Sequence, residues 1–338
     1  MNTVTILKDA QSSNLSLYTF SHLVPSICDN EEGTQLMRDY CLQSNSPEAR
    51  YHSLEFFLMN GYGAEFIKLL HENKYSSNLY DQIWAQLYEL LSKIEKKEML
   101  SDEVFIELEK VAPLSDEQTC VILFIKLYCF YDMNRLDVID SLTNEIYSRI
   151  EVLEPSILKD SLLFRLNEVL QRYHWRRNEL ILSRKYGYKI IKQKNISLNR
   201  KCKTHQCLGL SYLYDSYDQA MFHLKQARNI AERYSLKDQE YYISQQNIPF
   251  VSAYHHRVEG ITSKEPSEQA HIALAKGDYQ EARIILSSFQ TLTSFQMYYL
   301  GIATQNHHLF IKSYNKFVNE NSHHFFARLP LRELKKME

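Results

Sequence analysis

Glycine and proline are scarce in this chain, with 8 Gly and 7 Pro among 338 residues. Few turns can then need φ > 0 or a fixed kink, which disfavours sandwiches and doubly wound sheets and favours long helices joined by short polar loops. Alternating strand patterns bounded by Asn-Gly or Asp-Gly turns are missing as well. Nowhere is there a nucleophile elbow, a P-loop, a dinucleotide fingerprint or an HExxH helix, so no catalytic residue and no cofactor is nominated, and the chain does not read as an enzyme. The most apolar stretch, CVILFIKLYCFY (120–131), is too short to cross a bilayer and contains Lys126. The N-terminal MNTVTILKDAQSS has no basic segment followed by an apolar one, so no signal peptide is expected and a cytoplasmic location is. The six cysteines (28, 41, 120, 129, 202, 207) form no CxxC pair and sit mostly among apolar residues, as reduced, buried thiols would. Cys202, His205 and Cys207 would need a fourth ligand to hold zinc, so no metal is expected.

What is present reads as all-α. SPEA (46–49) offers Ser46 as an N-cap and Pro47 as the first helical residue, with a stop at Gly61. SDEV (101–104) and SDEQ (115–118) open two more helices, the second as a capping box of Ser115 and Gln118. The apolar spacing in CVILFIKLYCFY and RLDVIDSLTNEIYSRI suits helices packed on two sides.

Between residues 200 and 320 the helices repeat. LGLSYLYDSYDQAMFHLKQARNIAERY carries Leu208, Gly209, Tyr212, Ala220, Leu224 and Ala227, close to the tetratricopeptide pattern but one residue short in the turn. In AKGDYQEARIIL (275–286), Gly277, Asp278 and Tyr279 leave one helix, while Ala282 and Leu286 begin the face of the next. Ala270, Ala282 and Leu286 take the small, small and large positions of a second unit, although Phe289 stands where a small residue is usual. Leu300, Gly301 and Phe317 open and close a third. Gly209 to Ala270 spans 61 residues and Ala270 to Gly301 spans 31, near two units and one unit of roughly 34 residues. The expected architecture is a right-handed superhelix of tetratricopeptide-like hairpins with a concave groove, the alternative being unrelated antiparallel helices.

Charge is unevenly spread. Residues 172–203 hold eleven Lys and Arg against one acid, Glu179, a net of +10 that leaves −12 on the rest of a chain whose total is −2. That stretch is either a solvated helix face or a surface for an acidic partner, whether a ligand carboxylate or nucleic-acid phosphate. Residues 1–40 hold two bases and five acids, unlike a DNA-binding head. Histidine pairs at 255–256, 307–308 and 323–324 point about 100° apart on a helix and cannot share an ion unaided. Candidate groove residues are Glu268, alone in the small and apolar SEQAHIALA, together with Phe250, Leu213 and Phe325. Glu268 could equally be an acid favoured by the helix dipole, and the others core residues.

QLMRDYCLQ (35–43), YLYDSYDQAMFHLKQARNIA (212–231), EQAHIALAKGDYQEA (268–282) and FFARLPLRELKKM (325–337), in this order and spacing, resemble the arbitrium receptor (AimR) family, the lysis–lysogeny pheromone receptors of Bacillus phages and prophages. The resemblance runs from about residue 16 to the end. It implies an N-terminal helix-turn-helix followed by a tetratricopeptide-like domain, here residues 1–30 as the remnant of the first and 31–338 as the second. It also implies a short signalling peptide (a hexapeptide in the family) bound in the groove and a change in transcription regulation, in the host bacterial cytoplasm. By the same resemblance Glu268 is a peptide-contacting acid, and Leu213, Phe250 and Phe325 are apolar contacts. Arg172 and Arg176 are expected peptide contacts too, for a carboxylate, and stand where the family has groove asparagines; Leu210 replaces another, His323 replaces an aspartate, and the groove arginine falls near Asn199 or Arg200. Since LSLYTFSHLV (15–24) resembles the last helix of the helix-turn-helix, intrinsic DNA binding is expected to be impaired or absent. A homodimer would be weakened by the short C-terminus. The alternative readings are a helical-repeat interaction scaffold with no peptide signal, and a hydrolase or phosphatase-stimulating repeat protein.

Overall fold

In the computed structural model the residues described are 7, 15–28, 30–44, 47–193 and 197–337. Among them there is helix and no strand. The order is α1 (Leu17–Ile27), α2 (Asn30–Gln43), α3 (Pro47–Asn60), α4 (Gly63–Lys74), α5 (Leu79–Lys96), α6 (Ser101–Leu108), α7 (Asp116–Asp132), α8 (Ile139–Val152), α9 (Ile157–Arg176) and α10 (Leu180–Ile191). It continues with α11 (Leu198–Ser211), α12 (Tyr217–Arg233), α13 (Lys237–Tyr242), α14 (Ile248–Tyr254), α15 (Pro266–Lys276), α16 (Tyr279–Ser287), α17 (Ser294–Thr304), α18 (His307–Asn315) and α19 (His324–Met337). Two π-helical turns, Ile243–Asn247 and Lys316–Glu320, interrupt the later hairpins. The all-α reading holds.

The helix ends show why. Gly61 at φ 78° follows α3, and Gly277 at φ 85° closes α15 in the left-handed conformation that glycine adopts without a Cβ penalty. Asp278 then accepts a hydrogen bond from the Glu281 N–H and starts α16, so the stretch 275–286 is a helical turn-and-restart. Ser115 caps α7 by accepting from the Gln118 N–H at 3.2 Å. The return bond departs from a capping box, because Gln118 Oε1 accepts from Leu114 N–H, one residue earlier than the cap. Leu100, not Ser101, precedes α6, and Glu103 accepts from its N–H at 3.0 Å. Ser46, expected to cap α3, lies outside the described residues, as does most of 1–14.

The chain divides into two compact units, Met1–Leu166 with Gln193–Ser197, and Asn167–Lys192 with Leu198–Glu338. The first is built around Trp84 and Tyr88 of α5, Phe57 of α3 and Phe124 of α7, all essentially buried. The second holds the repeats. A Cβ on Gly209 of α11 would come within 2.8 Å of Leu224 Cγ and 3.0 Å of the Ala220 carbonyl on α12, so the absent side chain is what lets these helices meet. Gly301 on α17 does the same against the Phe310 ring of α18, at 2.7 Å. Ala220, Ala227, Ala270 and Ala282 are fully buried where the repeat reading puts small residues. Cys41, Cys120, Cys129, Cys202 and Cys207 are buried free thiols, and Cys28 is half-buried.

Candidate functional site

Within the second unit, three elements bring the nominated side chains together. The π-turn Ile243–Asn247 leads into α14, whose Pro249 and Phe250 face inward. π-turns inside helices recur at functional sites because the extra residue re-aims the side chains that follow. Glu268 lies in the first turn of α15, and His271 one turn on shares its face. The start of α19 contributes Phe325 and Phe326.

At the acidic end, Glu268 is only 9% exposed. Its Oε1 accepts from the Tyr299 hydroxyl at a long 3.4 Å, and the His271 imidazole stacks on the Tyr299 ring at 4.3 Å. Glu268 Oε2 and His271 Nδ1 stand 3.6 Å apart, too far for a hydrogen bond, and among the described residues neither atom has another partner. Burial and the neighbouring carboxylate push the Tyr299 hydroxyl well above its ordinary pKa, so it stays a neutral donor.

An aromatic cluster continues from there. Phe250 meets His271 at 5.5 Å, Phe295 at 5.5 Å and Phe326 at 5.8 Å. Phe326 in turn meets Trp175 of α9 at 5.4 Å and His323 at 4.5 Å. Phe325 packs on Tyr214 at 4.7 Å and Trp175 at 5.7 Å, and its carbonyl accepts from the Tyr214 hydroxyl at 3.0 Å. Arg328 and Arg332 of α19 lie over that same Tyr214 ring, at 4.1 and 4.5 Å. Burial, with Arg176 nearby, pulls His323 down to about 3, so its ring is neutral at ordinary pH.

Of the nominated residues, Phe250 and Phe325 meet through Phe326, Glu268 joins them through His271, and Arg176 lies beside His323. Leu213 is fully buried in the core; its carbonyl is bonded to His255 Nε2 at 2.8 Å, and the adjacent Tyr214 makes the contact to α19. Arg172 is exposed, its Nε donating to the Glu168 carbonyl at 3.3 Å. Leu210 is buried, Asn199 is exposed, and Arg200 is bonded to Glu168. Trp175, Tyr214, His271, Tyr299 and Phe326 were not singled out from the sequence. His271 had a signal, three residues after Glu268, and Trp175 had another as one of 2 tryptophans, set inside a basic run.

A second polar cluster lies between α10, α11 and α12. His205 Nδ1 and His223 Nδ1 are 3.0 Å apart, His223 Nε2 is 3.1 Å from the Tyr188 hydroxyl, and that hydroxyl is 3.1 Å from Tyr212 Oη. Burial lowers both histidines to about 4, and at His205 the His223 ring disfavours charge further. Cys202 Sγ donates instead to the Ala227 carbonyl at 3.3 Å. Among the described residues no three His, Cys, Asp or Glu side chains are placed to hold a metal ion. Among the described residues no helix is long and apolar enough to cross a membrane.

The sequence matches the family described as AimR transcriptional regulator-like over residues 33–336. It is similar to the AimR transcriptional regulator of Bacillus phage phi3T, 21% identical over 323 residues that cover 91% of this chain and 82% of that protein. Among solved structures, ligand-bound phAimR superposes with a TM-score of 0.72 at 19% identity, covering 90% of this chain and 92% of that one. Selenomethionine phAimR superposes at 0.76 and 17% identity, covering 100% and 97%. Both likenesses carry the helical-repeat fold.

Proposed function

As the chain belongs to the AimR transcriptional regulator-like family, we propose that it is an intracellular receptor for a short phage-encoded peptide and adjusts the lysis–lysogeny decision through transcription. The carrying observation is Glu268, a buried carboxylate whose second oxygen accepts no hydrogen bond among the described residues. An ionised group in that position is costly unless a cation meets it. A peptide arginine or amino terminus would supply the cation, with Tyr299 and His271 beside it and Phe250 and Phe325 as apolar walls. That phAimR has a structure with a ligand supports a receptor role. In this reading intrinsic DNA binding through residues 1–40, where five acids outnumber two bases, is impaired or absent.

The test is thermal unfolding of the full chain against a library of synthetic hexapeptides, since a ligand held only by the folded state raises the melting temperature by mass action. Basic hexapeptides are expected to raise it, and replacing their arginine by citrulline should abolish the effect. If no member of the library moves the transition, the receptor reading fails and the repeats serve a protein partner without a peptide signal.

A further inference from the structure

The basic run at 172–203 resolves into two chemically different sets. Three of its five arginines are paired with acids: Arg177 with Glu179, Arg184 with Asp215, and Arg200 with Glu168. Its described lysines are not. Lys185, Lys189 and Lys192 stand exposed at four- and three-residue spacing on one face of α10 and its C-cap, about 10 Å from end to end. Lys201 and Lys203 lie in the first two turns of α11, the helix packed against α10. Among the described residues none of these five pairs with an acid.

Folding does not explain where they are. Cations near the start of a helix oppose its dipole, yet the first turn of α11 has no acid and Lys201 and Lys203 follow. Lys185 and Lys189 come within 5.9 and 5.5 Å of the Tyr186 ring centre, whose face already stacks on His174 at 5.5 Å, so no aromatic surface is offered to a base. What remains is a row of strongly hydrated point charges.

We propose that the exposed face of α10 and the start of α11 bind the phosphates of nucleic acid without reading sequence. Lysine is depleted at protein–protein interfaces but abundant at phosphate contacts, which favours nucleic acid over an acidic protein. The charge distribution agrees, since the run carries +10 on a chain of −2 and would steer a polyanion to this face. The surface involves neither Glu268 nor the aromatic cluster, so it goes beyond the peptide reading and does not depend on it.

The test is fluorescence anisotropy of a labelled, random-sequence DNA duplex with the full chain, titrated between about 50 and 200 mM salt. Five phosphate contacts predict a slope of log K against log salt of about −4 to −5. The triple variant Lys185→Gln/Lys189→Gln/Lys192→Gln should reduce that slope by about 3, roughly one unit per lysine. A control, Lys237→Gln/Lys276→Gln/Lys312→Gln, removes the same charge from other exposed positions and should leave the slope unchanged. Absence of binding at the lowest salt overturns the proposal, as does an equal loss in both triples, which would reduce the effect to net charge. Polyglutamate competing as well as the duplex at equal charge would assign the face to an acidic protein and overturn it too.

Discussion

Arg165 and Glu55 make a two-pronged ion pair in which neither side chain has any exposure: Nε donates to Oε1 at 2.7 Å and Nη2 to Oε2 at 3.1 Å. The same guanidinium is bonded to Glu95 and donates to the Tyr128 hydroxyl at 3.2 Å, so one cation ties α9 to α3, α5 and α7. Both charges are desolvated, so removing one partner strands the other. Arg165→Met, which leaves Glu55 buried without its cation, should cost about 3–5 kcal/mol. Adding Glu55→Met should recover part of that, because the fully buried carboxylate is gone, while Glu95 and the Tyr128 hydroxyl, still without their cation, keep the recovery incomplete. Urea denaturation of the single and double variants checks the order, and a double variant no more stable than Arg165→Met would contradict it.

Gly209→Ala should destabilise by about 1–3 kcal/mol, since the new methyl meets Leu224 Cγ at 2.8 Å and the Ala220 carbonyl, which cannot yield without parting α11 from α12. Gly63→Ala is the control. Nothing lies within 4 Å of a Cβ there and Gly63 begins α4, so the change should be neutral or slightly stabilising. A loss at Gly63 equal to that at Gly209 would contradict this, because helix propensity favours alanine at both sites and only the close approach at Gly209 predicts a cost.

The contrast between these glycines explains what the sequence could and could not disclose. Gly209 and Gly301 are readable because a repeat demands a small residue at a fixed offset, and the structure puts Leu224 and Phe310 against them. Gly277 is readable because a left-handed cap has a local signature. Glu268 stood out for the same reason, an acid among small apolar residues. Its surroundings did not. His271 is near it in sequence, but Tyr299 comes from α17, Phe326 from α19 and Trp175 from α9, and no local pattern links residues so far apart. The Arg165 network was silent too, for Glu55 lies 110 residues away.

The buried histidines give a pH dependence with a definite sign. His205 and His223 are held at about 4 in the folded chain, below the unfolded imidazole value of about 6.5. Above that unfolded value neither state takes up the proton and stability is intact. As pH falls towards 4, the unfolded chain binds protons that the folded chain refuses, so stability declines and then levels off. Between pH 7 and pH 5.5 the loss should be about 2–3 kcal/mol for the two rings together. His223→Gln removes one of the two rings and should flatten the decline. Thermal melts across this range decide it, and an unchanged pH slope in the variant would show that other groups carry the effect.

The final prediction concerns ligand charge. If the peptide lies along the aromatic cluster, Glu268 and the α9 arginines meet opposite charges on it. Glu268→Ala should weaken a basic hexapeptide by roughly 2–5 kcal/mol, because truncating one member of a buried charge pair leaves the other desolvated and alone. Glu268→Gln keeps the shape and removes only the charge, so it should discriminate arginine from citrulline peptides less than the wild type does. Arg176 lies near His323 at the opposite end of the cluster, with Arg172 one helical turn before it. A peptide carboxylate, from an acidic side chain or the C-terminus, is the complementary group there. Arg172→Ala, at the exposed position, should lower affinity for acidic peptides by no more than about 1 kcal/mol and leave neutral ones alone. Calorimetry of the variants against one peptide series separates the two ends. Unchanged affinity in both Glu268→Ala and Arg172→Ala would place the ligand outside this cluster altogether.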